Sequence, residues 1–233
     1  MMSGENKKQV IILIGPPGSG KGTQAEFLAD KFSLFHLETS KLVEDAIKSA
    51  DPNDEEFAAA QKAWSLGKLV ESKTIVRLTL GKVKNIAESG KGIVLSGSPR
   101  TLYEIEKELP VFENLYGIDN IKVFNIKLSE EESVKRNSFR RICKASRHSI
   151  PNFPEYKDIN ACPKDGSEII TRALDNPEII KVRYKTYLEE TEPVIGFLKN
   201  KGYRIIEING EQPIDKIFED IRTYAFGQVQ GER

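Results

Sequence analysis

Five short apolar runs are spaced along the chain, each bounded by glycine, proline or polar residues. Runs of this length without polar interruption are typical of strands buried on both faces of a parallel sheet. They predict strands at residues 10–14, 34–37, 93–95, 121–126 and 203–208. Between them, apolar residues recur at the spacing of amphipathic helices. That spacing predicts helices at residues 20–31, 40–50, 53–66, 72–89, 101–115, 129–141, 177–200 and 213–225.

The alternation of strands and helices indicates an α/β fold, with a parallel sheet covered by helices on both faces. Several predicted helices carry end signals. Ser129 to Glu132 fits a capping box, and Pro177 and Pro213 suit first helical turns. Residues 142–171 contain prolines and few periodic apolar positions. This stretch is too long for an ordinary loop, so it predicts a small lid-like insert.

The first predicted strand leads directly into GPPGSGKGT at residues 15–23, after which the pattern becomes helical. Backbone N–H groups of a glycine-rich turn can surround phosphate oxygens, and the N-terminus of the following helix adds the positive end of its dipole. Lys21 would reach the outer phosphates, and Thr23 carries the nearest hydroxyl for a magnesium ion. Residues 15–23 therefore predict a phosphate-binding loop, in which Gly22 separates the lysine from the hydroxyl.

Composition narrows the partners of this loop. With 233 residues, 39% of them apolar, the chain can form one large domain with small inserts. A formal net charge of zero, with no long basic run, argues against nucleic acid or an anionic membrane as the main partner. The polar start is too short for a signal peptide, and no apolar run reaches membrane-spanning length. The two cysteines cannot form a disulfide framework, so we expect a cytoplasmic protein.

Further motifs extend over most of the chain. They are GPPGSGKGTQ at 15–24, FHLETSKL at 35–42, GKLV at 67–70, LSGSPRT at 95–101, FRR at 139–141 and RALDNPEII at 172–180. In this order and spacing they resemble the long-lid adenylate kinases. The resemblance implies a P-loop nucleoside-triphosphate-binding fold with a five-stranded parallel sheet and two inserted subdomains. The implied parts are a core at 1–37, 71–138 and 176–233, a monophosphate-binding subdomain at 38–70 and a lid at 139–175.

The resemblance also implies an activity, the reversible transfer of the terminal phosphoryl group of ATP to AMP with Mg²⁺, giving two ADP. The implied enzyme is a monomer whose partners are these nucleotides. Such transfer needs in-line placement and positive charge, and arginine supplies permanently charged, bidentate contacts. The residues implied as catalytic are Lys21, Arg100, Arg136, Arg172 and Arg183. Those implied for ATP are Gly18, Ser19, Gly20, Lys21, Gly22, Thr23, Arg136, Arg140 and Gln212. Those implied for AMP are Thr39, Lys41, Gly67, Lys68, Val70, Gly97, Arg100, Glu104, Arg172 and Arg183.

Three acceptor-side positions depart from the family pattern. Glu44 stands where an arginine grips the AMP phosphate, and at about 5 Å its charge would oppose binding by roughly 3 kcal/mol at an effective dielectric of about 20. Ser96 replaces the aspartate that orients magnesium through water. Glu104 replaces a glutamine that reads the adenine edge; it can accept a hydrogen bond from the amino group of adenine or cytosine but not from the carbonyl of uracil.

These departures leave alternatives open. Lys41 could pair with Glu44 on one helical face and take part of the missing arginine's role, or Glu44 could point to solvent. The chain is then either an active kinase on AMP, with CMP as the alternative acceptor, or an ATP-binding paralogue with weakened catalysis that acts as a sensor or partner module. The lysine and arginines favour the enzyme, whereas Glu44, Ser96 and Leu174, which stands where the family usually has an acid, favour the paralogue.

The lid contains Cys143-x2-Ser146 followed by Cys162-x2-Asp165. In many long-lid relatives the four corresponding positions hold zinc, and here Cys143, Cys162 and Asp165 remain as candidate ligands. Serine is a poor zinc ligand, so His148 is the candidate for the fourth position. The alternative is a lid without metal, in which these side chains hydrogen-bond one another.

Overall fold

Five parallel strands form the central sheet, as the apolar runs predict. The computed structural model describes residues 8–146, 148–150, 158–171 and 175–227. Its strands are β1 (Val10–Ile14), β2 (Phe35–Glu38), β3 (Ile93–Ser96), β4 (Ile121–Lys127), β5 (Arg141–Cys143), β6 (Ser149–Ile150), β7 (Ile169–Thr171) and β8 (Ile205–Asn209). The central sheet has the order β2-β3-β1-β4-β8, with β1 in the middle. A second, three-stranded antiparallel sheet has the order β6-β5-β7.

Helices cover both faces of the central sheet. The α-helices of the described residues are α1 (Lys21–Phe32), α2 (Thr39–Ser49), α3 (Glu55–Ser65), α4 (Ser72–Glu88), α5 (Leu102–Tyr116), α6 (Glu130–Ser138), α7 (Pro177–Thr186), α8 (Glu192–Asn200) and α9 (Ile214–Phe226). Five of them, α1, α4, α5, α8 and α9, pack on the sheet. Alternate side chains of β1 enter two different clusters, because successive residues of a strand point to opposite faces. Val10, Ile12 and Ile14 pack with α4, α5 and α8. Ile11 and Leu13 pack with α1 and α9, which explains the uninterrupted apolar run.

Two smaller apolar clusters lie outside the central layers. The first joins α2, α3 and α4 through Val43, Ala60, Val70 and Ile75. The second contains Cys143, Ile150 and Cys162 beside the three-stranded sheet. The first predicted insert therefore packs its apolar residues together and against α4, and the second has an apolar cluster within residues 143–169.

Two helix predictions are wrong at their ends or centre. The helix predicted at 129–141 ends at Ser138, because the chain then enters β5. The helix predicted at 177–200 is interrupted by a π-helical turn at Tyr187–Thr191. In that turn the Tyr187 hydroxyl donates to Asn125 Oδ1 (3.4 Å) and the Thr191 hydroxyl donates to the carbonyl of Arg100 (2.9 Å). These tertiary bonds accompany the wider turn, as is frequent at functional sites.

The capping box predicted at α6 forms only in part. The Ser129 side chain accepts from the backbone N–H of Glu132, as predicted. The predicted reciprocal bond, from Ser129 N–H to the Glu132 side chain, is wrong. Ser129 N–H donates instead to Glu211 Oε1 (3.1 Å), and Glu132 pairs with Lys135 and Arg136. Glu211 thereby joins the loop after β8 to the start of α6.

The core between the sheet and α5 should contribute strongly to stability. Phe112 is fully buried in that layer, so we expect Phe112→Ala to lower the free energy of unfolding by about 3–5 kcal/mol. Ile118, which is 62% exposed, offers the control, and Ile118→Ala should stay within about 0.5 kcal/mol of the parent chain. Urea unfolding of both variants measures the difference, and equal losses would contradict this description of the core.

Candidate active site

A cleft of about 1380 Å³ opens at the carboxyl ends of the parallel strands. The phosphate-binding loop follows β1, Glu38 ends β2, and Ser96 and Gly97 lie at the end of β3. Residues of α6 and of the three-stranded sheet, among them Arg136 and Ile150, line the opposite wall. Ligands of parallel α/β sheets bind in this position, so the cleft is the candidate site.

The phosphate-binding loop needs its glycines for conformation and for close packing. Gly18 and Gly20 have φ values of 77° and 93°, which are strained for residues with a side chain. A Cβ on Gly18 would lie 2.4 Å from Asn137 Nδ2, whereas Gly20 and Gly22 face open space. Helix α1 begins at Lys21 behind Gly20, which has no side chain to cap it. The first N–H groups of α1 can therefore bind an anion.

Lys21 and three arginines converge beside this loop. Lys21 Nζ donates to two loop carbonyl oxygens, at 2.6 and 2.8 Å. Burial, together with the charges of Arg100, Arg183 and Arg140, lowers the pKa of Lys21 well below its ordinary value. Burial and the neighbouring arginines also lower the pKa of Arg183 to about 10. Cations held this close repel one another, so an anion bound among them would be strongly favoured.

One buried acid offsets part of this charge. Arg140 donates to both carboxylate oxygens of Asp175, at 2.9 and 2.8 Å. Arg183 Nη1 lies 3.6 Å from Asp175 Oδ1, too far for a hydrogen bond. Within the described part of the chain, this buried nitrogen has no hydrogen-bond partner. A buried, unpartnered guanidinium N–H is a donor that a phosphate oxygen can satisfy.

The other residues predicted for ATP have varied surroundings. Arg136 lines the cleft and donates to Glu132 Oε1 and to the carbonyl of Gly210, both at 2.8 Å. Gln212 also lines the cleft, and its amide donates to Asp220 Oδ2 (2.6 Å). Arg172 and Leu174 lie outside the described residues.

The acceptor half of the cleft contains an unpartnered hydroxyl. Thr39 Oγ1 is buried and makes no hydrogen bond to any described residue. It lies 3.6 Å from the Cβ position of Gly97, and Arg100 Nη2 lies 3.2 Å from the same position. A side chain at position 97 would thus crowd Arg100, and the φ of 124° at this position also favours glycine. An orphaned polar atom in this place is ready to bind a ligand.

The remaining residues predicted for AMP lie around this half of the cleft. Lys41 lines it from α2, and Gly67 and Lys68 line it from the turn after α3. Gly67 has a φ of 70°, which favours glycine. Val70 is buried in the apolar cluster of α2, α3 and α4 rather than exposed to the cleft.

The three departures from the family pattern have identifiable contacts. Glu44 forms an ion pair with Lys48 Nζ (2.9 Å), one turn along α2. Ser96 Oγ lies 2.6 Å from His36 Nε2, so the imidazole holds the hydroxyl that replaces the aspartate. Glu104, which the sequence predicts to read the base, is only 2% exposed and its hydrogen-bond partners are other parts of the chain.

Sequence reasoning missed a buried network around Glu104. Glu108, one turn further along α5, is fully buried, and Ser98 Oγ contacts Glu108 Oε1 at 2.7 Å and Glu104 Oε2 at 3.3 Å. A signal was present, because Thr101-x-x-Glu104 fits a capping box and the Thr101 side chain accepts from Glu104 N–H (3.2 Å). The i,i+4 spacing of the two glutamates also places them on one helical face.

Polar residues of α6 that hold the phosphate-binding loop were also missed. The Ser133 hydroxyl donates to the carbonyl of Pro17 (2.6 Å), and Asn137 Nδ2 donates to the carbonyl of Ser133 (2.7 Å). Both residues are buried. Their i,i+4 spacing on a helix that otherwise carries charges was the available signal.

The lid residues contact α1 directly. Lys164 Nζ lies 2.8 Å from Glu26 Oε1 and 3.2 Å from Asp30 Oδ2. The Thr23 hydroxyl donates to Ser149 Oγ (3.1 Å). These contacts place Ser149 and Lys164 against the phosphate-binding loop and the helix that follows it.

Four potential metal ligands meet in the lid. The donor atoms of Cys143, His148, Cys162 and Asp165 all lie within 4.8 Å of one another. His148 Nδ1 lies 3.6 Å from Cys143 Sγ, 3.4 Å from Cys162 Sγ and 3.3 Å from Asp165 Oδ2. Cys143 Sγ also accepts the backbone N–H groups of Ser146 and His148, each at 3.3 Å. Ser146 thus contributes its backbone to this group, while His148 supplies the fourth side chain.

Comparison with known proteins identifies the family. The family model described as adenylate kinase matches residues 13–203. The chain belongs to the adenylate kinase family. It is 40% identical to an adenylate kinase of Elusimicrobium minutum over 92% of this chain and 97% of that protein. It is 34% identical to one of Methanothrix thermoacetophila over 91% and 95%, and 33% identical to one of Oceanobacillus iheyensis over 91% and 97%.

Family membership makes the chain a nucleoside-monophosphate kinase, a phosphotransferase of an adenylate kinase family that uses ATP with Mg²⁺ and binds ATP, AMP and ADP. Its P-loop fold is the one that the sequence predicts. None of the described helices is long and apolar enough to span a lipid bilayer.

We expect the stability of the chain to depend on the protonation of Glu108. Burial raises the pKa of Glu108 well above its usual range; the Ser98 hydrogen bond opposes this shift and the nearby Glu104 charge adds to it. The folded chain favours the neutral acid, so the stability it provides is present at low pH and is lost as the pH rises through the raised pKa. Glu108→Gln stays neutral at every pH. Relative to the parent chain it should gain about 1.4 kcal/mol for each pH unit between the ordinary carboxyl pKa and the raised one, and no more above the raised pKa.

Urea unfolding of the two proteins across the range from about pH 5 to about pH 9 measures this difference. A free-energy difference that does not change with pH would contradict a neutral Glu108.

Proposed function

We propose that the cleft transfers the terminal phosphoryl group of ATP to AMP, with Mg²⁺, and that AMP is the preferred acceptor. The observation that carries the proposal is the convergence of Lys21, Arg100, Arg140 and Arg183 on one site. Positive charge placed around the moving group is the main requirement of phosphoryl transfer. The unpartnered N–H of Arg183 and the mutual repulsion of these cations both favour a bound polyphosphate.

On the donor side, we assign the phosphates of ATP to the phosphate-binding loop and the start of α1. Residues 18–23 supply backbone N–H groups, Lys21 supplies charge to the outer phosphates, and Thr23 supplies a hydroxyl for the metal. Lys21 would exchange its two loop carbonyls for phosphate oxygens. Arg136, Arg140 and Gln212 line the same side and complete the assignment. Arg172, which the resemblance implies for catalysis and for AMP, lies outside the described residues.

On the acceptor side, we assign the monophosphate to Arg100 and Arg183, and the nucleoside to the pocket around Thr39. The unpartnered Thr39 hydroxyl and the side-chain-free Gly97 support this assignment. Gly67 and Lys68 belong to the same wall, whereas Val70 is buried in the apolar cluster of α2, α3 and α4. Lys41 lies on the cleft side of α2, while Glu44 is paired with Lys48, so we assign Lys41 part of the role of the missing arginine.

At the metal site we expect a slower reaction than an aspartate would allow. Ser96 is neutral and is held by His36, so it can position a water molecule but adds no negative charge next to Mg²⁺. Phosphate oxygens and other water molecules supply most magnesium ligands, and the reaction therefore continues. A weakened ATP-binding paralogue is the alternative that Ser96 and Glu44 favour, and CMP is the alternative acceptor.

We further infer that residues 38–70 and 139–175 are the monophosphate-binding subdomain and the lid of a monomer. The separate apolar clusters of these regions support the division. One chain supplies both halves of the cleft, which supports a monomer. The two free, buried cysteines agree with a reducing compartment such as the cytoplasm.

We also propose that the lid binds one structural zinc ion through Cys143, His148, Cys162 and Asp165. Tetrahedral zinc with bonds of about 2.0–2.3 Å requires donor atoms roughly 3.3–3.8 Å apart. The measured separations of 3.3, 3.4 and 3.6 Å from His148 Nδ1 fit this requirement. Bound there, zinc would join β5, the turn after it and the loop before β7 in place of a larger apolar core.

A coupled assay with ATP, Mg²⁺ and each of AMP, CMP, GMP and UMP tests the proposed reaction. We expect transfer to AMP with the highest kcat/KM, and Lys21→Met should lower kcat by at least about 100-fold because the outer phosphates lose their cation. If no acceptor exceeds the Lys21→Met protein, the chain is the weakened paralogue. If CMP exceeds AMP, the acceptor assignment is wrong.

Restoring the family residues serves as the matched positive control. Glu44→Arg should lower the KM for AMP by about tenfold, because it replaces a carboxylate by a phosphate-binding cation. Ser96→Asp should raise kcat and leave the KM for AMP unchanged.

Metal analysis of the purified protein tests the zinc proposal. We expect one zinc per chain, and its removal by a chelator should lower Tm by about 4–8 °C if the site contributes roughly 2 kcal/mol. Cys162→Ser should abolish binding, whereas Ser146→Ala, which keeps the backbone N–H, should retain the metal. A parent protein grown with zinc that contains none, and whose Tm ignores the chelator, would refute the site.

A further inference from the structure

The buried carboxyl pair of α5 lies directly beneath the loop that carries Arg100. Glu104 is 2% exposed and Glu108 is fully buried. Burying a carboxyl group is unfavourable unless specific partners compensate. Neither residue is needed to fill the core, because Ile105, Leu109 and Phe112 of the same helix already do so. Their partners therefore indicate what the pair does.

Glu104 holds the backbone of Arg100. Its Oε2 accepts the Arg100 N–H at 2.6 Å, the shortest of its bonds, and its Oε1 accepts from the Ser72 hydroxyl at 3.2 Å. In an ordinary capping box the glutamate reaches back to the N–H of the capping residue, here Thr101. Glu104 reaches one residue further and fixes Arg100 instead.

The carbonyl group of Arg100, in the next peptide unit, is also held. The carbonyl of Arg100 accepts from the Thr191 hydroxyl at 2.9 Å, across the cleft base from the π-helical turn. The Arg100 guanidinium lies close to Gly97. Its Nη2 is 3.2 Å from the point where a Cβ on that glycine would lie. Both backbone groups of Arg100 are thus anchored before its side chain enters the cleft, so the direction of the guanidinium depends on these anchors.

The protonation state of Glu108 decides whether the Ser98 hydroxyl donates its hydrogen bond to Glu104. A hydroxyl has one proton to donate, and Ser98 Oγ contacts both carboxyl groups. If Glu108 is neutral, its own O–H donates to Ser98 Oγ and the Ser98 proton is free for Glu104. Glu104 then receives the Ser98 hydrogen bond in addition to that of the Arg100 N–H. If Glu108 were ionised, it would accept the hydrogen bond of the Ser98 hydroxyl, and Glu104 would lose that donor.

We propose that Glu104 is a positioning residue for acceptor binding, which aims Arg100 at the acceptor phosphate and is itself held by neutral Glu108 through Ser98. The inference rests on the proposed function only in taking Arg100 as a phosphate ligand. It assigns Glu104 no contact with the base, because its carboxylate oxygens are engaged inside the chain. The base of the acceptor is then irrelevant to its effect.

Direct binding and turnover of four acceptors test the proposal. We expect Glu104→Ala to raise the Kd of AMP, measured by calorimetry, by about ten- to a hundredfold, since small displacements of a positioning group have effects of this size. The KM values of AMP, CMP, GMP and UMP should rise by the same factor, and the KM of ATP should not change. Glu104→Gln should restore most of the affinity, because its amide oxygen can still accept the Arg100 N–H.

Companion variants separate positioning from simple destabilisation. Glu104→Asp keeps the charge and a polar group but withdraws the carboxylate from Arg100 N–H, so it should raise the Kd of AMP even if Glu104→Ala fails to fold. Glu108→Gln, a neutral isostere that can still donate to Ser98, should bind AMP like the parent chain at neutral pH. Glu113→Ala on the same helix, which loses the bond from the Tyr203 hydroxyl (2.8 Å), should lose stability without changing the Kd.

Three outcomes would overturn the inference. The first is an unchanged AMP Kd in Glu104→Asp or Glu104→Ala. The second is a loss confined to AMP with the other acceptors unaffected, which would assign Glu104 to the base. The third is a parent chain that does not bind AMP at all. A parent chain that binds AMP but transfers no phosphoryl group would refute the proposed function alone, because the Kd values still decide the role of Glu104.

Discussion

Electrostatic repulsion among buried cations is the constraint on which the cleft depends. The pKa of Lys21 is lowered by burial and by the charges of Arg100, Arg140 and Arg183. Asp175 forms hydrogen bonds with only one of these arginines, Arg140. Such a group is stable only because the surrounding fold fixes each member. A bound polyphosphate removes the repulsion and satisfies the spare donor of Arg183. The fold thus stores an unfavourable arrangement that its ligand relieves.

Much of the polar interior serves to fix this arrangement. Ser133 holds the phosphate-binding loop by the carbonyl of Pro17, and Thr191 and Glu104 hold the two backbone groups of Arg100. These bonds join α6 to the phosphate-binding loop, and the π-helical turn and α5 to the loop that carries Arg100. Backbone anchors of this kind position a charged side chain without competing for its charge.

The sequence predicts the parts of the fold that local pattern determines. Val10 to Ile14 could be recognised as a central strand because both faces are buried, so every residue is apolar. The π-helical turn could not be predicted, because residues 177–200 keep helical periodicity and the change comes with distant partners such as Asn125 and Arg100. For the same reason, Glu108 resembles a solvent-facing residue until the packing of α5 shows that it is buried. The sequence names His148 as the candidate fourth zinc ligand but cannot place its side chain beside the cysteines, because that placement depends on how the turn after β5 folds back on Cys143.

Lys164 makes the attachment of the proposed lid to α1 sensitive to the salt concentration of the solution. Its ammonium group bridges two acids one turn apart on α1, and it is partly exposed, so dissolved ions compete with this attachment. If residues 139–175 open as the proposed lid, these pairs must separate before products leave. Added salt weakens charge pairs at the surface while leaving the apolar lid cluster intact. Ionic strength should therefore set part of the time for which the proposed lid stays closed, and product release should accelerate in concentrated salt.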